Sequence, residues 1–194
     1  RGMKIKESEV HQISNKNNLE IYNPSILDES VIEITKNLNP DLIIVVAYGL
    51  ILPTEILNIP KYGCINIHVS LLPRWRGAAP IQHALLSGDT KTGISIIKIS
   101  PELDAGDILI QESLLIDEEM HKDDLTLSLT NLGKKIMIKV LPNIFENKII
   151  AEKQDRKKIT YANKFSSDDR KINFNNSAEK VLNQIRAHGP KPGS

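Results

Sequence analysis

Three polar side chains alternate with aliphatic ones inside residues 63–82, GCINIHVSLLPRWRGAAPIQ: Asn66, His68 and Ser70 against Ile65, Ile67 and Val69. Successive side chains of a strand point to opposite faces, so this spacing puts an amide, an imidazole and a hydroxyl on one face. The branched aliphatics share the other. A buried polar face costs free energy unless its groups find partners or work. An amide N–H can stabilise a developing oxyanion without exchanging a proton, and one such donor lowers a barrier by roughly 3–4 kcal/mol. An imidazole can carry protons between two reacting atoms. A carboxylate beside the ring would support that role, and Asp104 in Leu103-Asp104-Ala105-Gly106 is the candidate. Singly, each residue has an ordinary reading: a hydrogen-bonded Asn, a core His, a turn Asp. The chemistry lies in the combination.

Other chemistries fit poorly. Ser70, His68 and Asp104 hold the letters of a hydrolase triad, but the chain lacks the G-x-S-x-G elbow that would expose the serine. The five His and one Cys show no metal-ligand spacing, so no metal is expected. No glycine-rich phosphate loop is present.

The elements that must position these residues can be read from periodicity. Residues 8–16 suit a polar helix with Val10 and Ile13 inward, and residues 19–22 a short strand closed by Asn23-Pro24. Asp28 suits the cap of a following helix with Val31, Ile34 and Leu38 as its buried stripe. The run Asp41 to Ala47, continuously apolar after its first residue, predicts a central parallel strand covered on both faces. A loop, Tyr48-Gly49-Leu50-Ile51-Leu52-Pro53, leaves its carboxyl end. The polar strand then runs into the Leu71-Leu72-Pro73 turn and the basic loop Arg74-Trp75-Arg76-Gly77, and Pro80 opens a helix with His83 outward. Residues 92–99 read as a strand with Ile94 and Ile96 on one side, and 108–115 as another. Leu125, Leu129, Leu132, Ile136 and Val140 mark a long helix that Pro142 should bend or end. Residues 148–158 read as a charged, solvated connector. Strands alternating with helices predict an α/β fold with a mostly parallel sheet flanked by helices.

The Asn66-x-His68-x-Ser70-Leu71-Leu72-Pro73 pattern resembles the active-site strand of the formyltransferases that use 10-formyltetrahydrofolate. The continuation at residues 73–82, PRWRGAAPIQ, is similar to the methionyl-tRNA formyltransferases in particular. The Leu103-Asp104-Ala105-Gly106 loop resembles that family's second signature, here approached through Ser100-Pro101-Glu102 in place of a glycine-containing segment. The resemblance implies a Rossmann-like formyltransferase domain with Asn66, His68 and Asp104 as catalytic residues. It implies a folate pocket at Leu50, Ile51, Leu52, Ser70, Leu71, Leu72 and Pro73, with 10-formyltetrahydrofolate as formyl donor. It also implies an initiator methionyl-tRNA partner contacted by Arg1, Gly2, Lys4, Arg74 and Arg76. The alternative is an inactive, truncated remnant that at most binds folate. A sugar amine or purine-precursor acceptor fits Arg74-Trp75-Arg76-Gly77-Ala78-Ala79-Pro80-Ile81 less well.

Composition bounds this reading. At 194 residues the chain can bury a single core, and a formal net charge of +1 advertises no global attraction to nucleic acid. One cysteine suits a reducing compartment, and no apolar run is long enough to span a bilayer. A cytoplasmic location in a bacterium, or an organelle, is expected, as is a monomer for the complete protein. Against the family pattern, residues 1–187 correspond to a partial catalytic domain lacking its first strand–helix–strand. Residues 188–194 correspond to the start of a linker to a C-terminal domain.

Overall fold

The computed structural model describes residues 7–189 and 193. Helices α1 (Glu9–Lys16) and α2 (Glu29–Leu38) precede strand β1 (Ile43–Val45). After them come α3 (Thr54–Leu57), β2 (Cys64–His68), α4 (Pro80–Leu86), β3 (Lys91–Lys98), β4 (Ile108–Leu115), α5 (Lys122–Phe145) and α6 (Ala178–His188). Local chemistry sets several helix starts. Ser8 caps α1 by accepting from the His11 N–H, Asp28 caps α2 through Ser30 and Val31, and Ser177 caps α6 through Lys180. Each cap satisfies an amide that has no partner within the helix. Pro80 sits in the first turn of α4, where its missing N–H costs nothing.

The four described strands form one sheet in the order β1-β2-β3-β4. The expected α/β architecture is present, but the strand directions need correcting: β1 and β2 are parallel, while β2–β3 and β3–β4 are antiparallel. Continuous hydrophobicity reports that both faces of a strand are covered and says nothing of its direction. β3 illustrates this, being buried from Thr92 through Ile97 while antiparallel to both neighbours.

The core lies between one sheet face and α5, with α4 and α6 packed beside it. Leu125, Leu129, Ile136, Val140 and Ile144 recur at helical spacing and are buried against Ile65, Ile94 and Ile96. Pro142 does not end α5, which runs on to Phe145 and seats Ile144 in the core. Residues Ile65 and Ile67 face this core, in register with Lys98 and Ile96. The opposite face of β2 therefore carries Asn66 and His68, opposite Ile97 and Ser95.

Residues 7–40 behave differently from their pattern. Val10 and Ile13 are 75% and 61% exposed, residues 19–22 form no strand, and the α2 stripe is only half-covered, with Leu38 exposed. β1 is an edge of the described sheet, and Ile44 and Val46 are 41% and 58% exposed. Amphipathic spacing selects which side of an element is apolar, whereas burial needs a partner over that side. An apolar edge strand is a template for association. The chain should therefore self-associate as its concentration rises in sedimentation velocity, and Ile44→Lys should weaken that association. A single monomeric species at every concentration would refute this.

Candidate active site

Two loops converge on the polar face of β2. The first leaves β2 at His68, turns at Leu72–Pro73, whose peptide bond is cis, and returns through Arg74–Ala79 into α4. Its base is a buried hydroxyl–amide network on the same sheet face, where Ser95 pairs with His68 and Gln111 with Ser95. Ser95 Oγ donates to the Ser70 carbonyl and accepts from the Leu72 N–H, and Gln111 Nε2 donates to both Ser95 Oγ and the Leu72 carbonyl. Ser70 Oγ donates to the Arg74 carbonyl at 2.6 Å. That bond spends the hydroxyl on the turn, which removes it from any hydrolase triad with His68.

The second loop joins β3 to β4 and carries Asp104. Its close approach needs a glycine, since a Cβ on Gly106 would stand 1.7 Å from the Lys98 carbonyl oxygen. Asp104 itself has φ 47°, and Trp75 in the facing loop has φ 64°. Left-handed conformations at non-glycine residues are uncommon and cost about 1–3 kcal/mol each when the surroundings impose them. Both residues aim a polar group at the same place.

At that place Asn66 Nδ2 donates to Asp104 Oδ1 at 3.3 Å, and the Gly77 N–H donates to Asp104 Oδ2 at 2.8 Å. His68 Nδ1 lies 3.6 Å from the same Oδ2. His68 Nε2 is 2.8 Å from the Trp75 carbonyl oxygen. A carbonyl can only accept, so Nε2 is the protonated donor and Nδ1 is the ring nitrogen left to exchange protons. His68 is only 5% exposed, whereas Asn66 is half-buried and keeps a second Nδ2 hydrogen. The cluster thus combines an amide donor, a tautomer-fixed imidazole and a carboxylate.

The remaining sequence candidates are placed less uniformly. Ser70 and Leu72, expected to line a folate pocket, are 0% and 3% exposed and hold the turn instead. Leu71 and Pro73 are half-buried on that turn. Leu50, Ile51 and Leu52 follow β1, and the pairing of Val45 with Asn66 places their loop at the sheet end that carries the cluster. Leu50 and Ile51 are exposed there. Arg74 grips Asp89 with Nε at 2.9 Å and Nη2 at 2.7 Å, while its guanidinium lies over the Trp75 ring. Donating to the Asp89 carboxylate raises its already high pKa.

Arg76 is a correction. Expected at the mouth of the site against a phosphate, it is 2% exposed and turned inward, bonded to Glu102 and Gln154. Backbone pairing with residues 160–162 holds it there: the Arg76 N–H donates to the Thr160 carbonyl, and its own carbonyl accepts from Ala162. Arg1, Gly2 and Lys4 lie outside the described residues, as do 190–192 and 194 of the expected linker. Cys64 offers no nucleophile, because burial pushes its thiol pKa up to about 11. Among the described residues, no group of three or more His, Cys, Asp and Glu side chains is arranged to hold a metal ion. No described helix is long and apolar enough to cross a membrane.

Sequence reasoning missed the backbone groups, the Trp75 carbonyl and the Gly77 N–H, because main-chain polarity leaves no mark on residue type. It also missed Gln154, a lone amide inside a stretch read as a solvated connector.

Methionyl-tRNA formyltransferase of Ehrlichia canis (strain Jake) is 47% identical over 192 residues, covering 98% of this chain and 62% of that protein. That of Fusobacterium nucleatum is 44% identical over 193 residues, covering 99% and 62%. The chain thus spans about 62% of the length of these curated relatives. Among solved structures, an N-formyltransferase from Helicobacter canadensis in complex with folinic acid and dTDP-3-aminofucose superposes with TM-score 0.75. It is 20% identical, and the match covers 94% of this chain and 65% of that one. The sugar 3N-formyl transferase WlaRD, solved with dTDP and 5-N-formyl-THF, gives TM-score 0.73 at 23% identity, covering 93% and 62%. At such identities these structures speak to the fold alone. The family model described as Formyl transferase matches residues 1–141, a span that includes Asn66, His68 and Asp104, and the chain therefore belongs to the formyl transferase family.

Proposed function

We propose that the chain transfers a formyl group from 10-formyltetrahydrofolate to the amino group of methionyl-initiator tRNA. The observation that carries this reading is the convergence of Asn66 and His68 from strand β2 with Asp104 from the loop between β3 and β4. The choice of donor and acceptor draws on relatives named methionyl-tRNA formyltransferase and on fold neighbours solved with folates. Such a reaction belongs in the cytoplasm, and we take residues 1–187 as part of a catalytic domain whose complete protein is a monomer, with 188 onward beginning a linker.

The donor's flat heterocycle needs apolar walls and backbone partners. The exposed Leu50 and Ile51 with Leu52 on the loop after β1, and Leu71 and Pro73 on the turn after β2, fit the walls, and the loop backbone fits the ring edge. When bound, the folate supplies a formyl carbon on nitrogen. A new C–N bond to the acceptor amine then forms as the old C–N bond breaks, and one proton passes from the acceptor nitrogen to the departing one. Negative charge builds on the formyl oxygen during this exchange. The spare Nδ2 hydrogen of Asn66 meets that charge. His68 carries the proton through Nδ1, because Nε2 is committed to the Trp75 carbonyl. Asp104 faces Nδ1 and steadies both Asn66 and the ring. Arg1, Gly2, Lys4 and the half-exposed side of Arg74 are our candidates for tRNA contacts.

The test is direct. Purified chain incubated with 10-formyltetrahydrofolate and methionyl-tRNA should yield formylmethionine after deacylation, read by mass spectrometry. Folate binding without transfer would favour the inactive remnant, and formylation of a sugar amine in place of the tRNA would reassign the acceptor.

A further inference from the structure

The Asp104 loop is held by a residue of the supposed connector. Gln154 Nε2 donates to the Asp104 carbonyl at 2.7 Å and to the Gly106 carbonyl at 2.9 Å. Its Oε1 accepts from Arg76 Nε at 3.0 Å and Nη2 at 2.9 Å. All the hydrogen-bonding capacity of this amide is therefore used, two donors on one side and two acceptances on the other. The buried Arg76 also decides which way round the amide sits. Only Oε1 can face a guanidinium, so Nε2 must face the two loop carbonyls. Arg76 Nη1 completes the bracket by donating to Glu102 at 2.8 Å, two residues before Asp104.

The segment carrying Gln154 is itself stapled beside the site. Glu152 exchanges both backbone hydrogen bonds with Ile108, at the start of β4, with N···O distances of 2.7 and 2.8 Å. Residues 160–162 pair with Arg76, and the Ala162 carbonyl also accepts from Ala79. A Cβ on Gly77 would meet that carbonyl oxygen at 2.9 Å, so the strap, the basic loop and the Asp104 loop are in mutual contact. On one side of this contact the Gly77 N–H grips the Asp104 carboxylate. On the other, Gln154 grips the Asp104 main chain.

We propose that Gln154 is a positioning residue for Asp104, oriented by Arg76, and that it sets where the carboxylate stands relative to Asn66 and His68. The proposal rests on the reading of Asp104 as part of the transfer site. Gln154 touches no reacting atom and acts by holding a left-handed aspartate against relaxation. A displacement of about 1 Å at a reacting group can cost about 100-fold in rate, so the clamp bears on turnover more than on substrate binding.

The experiment compares Gln154→Glu, Gln154→Met and the exposed neighbour Lys153→Ala in the same chain. Gln154→Glu keeps the acceptors for Arg76 but sets a carboxylate against two carbonyls, whereas Gln154→Met keeps the length without any hydrogen bond. Formyl transfer by either Gln154 variant should fall about 10- to 100-fold in kcat, with KM for the folate within about twofold. Hydrogen exchange of the Gly77 amide should quicken by about tenfold, while amides in the middle of α5 keep their protection. Lys153→Ala should change neither readout. Unchanged Gly77 exchange in a folded Gln154 variant, or quickened exchange with unaltered kcat, would overturn the proposal. Uniformly faster exchange that includes α5 would also overturn it, since that marks a general loss of stability. If the unaltered chain proves inactive, the functional reading fails by itself, and the Gly77 exchange still decides the clamp. Should Gln154→Glu not fold, Gln154→Met carries the same expectations.

Discussion

Asn66→Ala is expected to lower kcat for formyl transfer by about 10²–10³-fold while leaving KM for the folate nearly unchanged. The side-chain amide stands on the polar face of β2 with one Nδ2 hydrogen given to Asp104 Oδ1, and the proposed reaction uses the other on the formyl oxygen. A bond that strengthens only as charge develops contributes to the transition state and not to ground-state binding, so its loss appears in turnover. The half-buried position matters, because a donor screened from water is worth more than one in bulk solvent. The fold should survive the change, since Ile65 and Ile67 on the opposite face carry the packing. Steady-state kinetics with both substrates varied, alongside circular dichroism, gives the comparison. A kcat within a few-fold of the unaltered chain would take the oxyanion role away from Asn66, and a large rise in KM with kcat intact would make it a binding residue.

Asp104→Asn should be comparably severe, with kcat falling by about 10²–10⁴-fold, the range over which proton-transfer groups contribute. The substitution keeps the shape and removes the charge. The two carboxylate oxygens now accept from Asn66 Nδ2 and from the Gly77 N–H, and one of them faces His68 Nδ1 at 3.6 Å. An amide has only one oxygen, so its NH₂ group must oppose either the Asn66 donor or the Gly77 donor. Either choice leaves a donor facing a donor in a nearly closed site, an expensive arrangement. The ring of His68 would stay anchored through Nε2 on the Trp75 carbonyl, so the loss should fall on proton movement at Nδ1 and not on ring placement. In the double variant Asn66→Ala/Asp104→Asn the losses should be far from additive, because the two side chains act through one hydrogen bond. Near-normal turnover in Asp104→Asn, or strict additivity in the double variant, would remove the carboxylate from the mechanism.

Much of this site is legible in the sequence. Alternation along residues 64–68 determined that Asn66 and His68 share a face and that Ile65 and Ile67 share the other, because a strand allows only two directions for its side chains. Helical spacing from Leu125 to Val140 determined the buried stripe of α5, and the Asp28 side chain determined where α2 begins. These features depend on chain neighbours, whose geometry the backbone dictates. Asp104 is a carboxylate candidate to which the resemblance assigns a role, since no local rule connects it to Asn66, 38 residues earlier in the chain.

Tertiary structure decided what depends on groups distant in the chain. The run at residues 41–47 reads as a covered central strand, yet β1 is an edge of the described sheet with Ile44 and Val46 exposed, because coverage belongs to the partner and not to the strand. Ser70 and Leu72 look like pocket residues by position but are consumed by Ser95, Gln111 and Arg74 across the turn. Arg74 and Arg76 are two letters apart in one basic loop. Asp89 keeps the first at the surface, while Gln154 and Glu102 draw the second inward. The protonated nitrogen of His68 follows from a carbonyl seven residues away, turned toward it by a left-handed Trp75. Side-chain type prescribes what a group can donate or accept, but only the folded chain determines which donor meets which acceptor, since that match is made by segments whose separation in sequence carries no information about their distance in space.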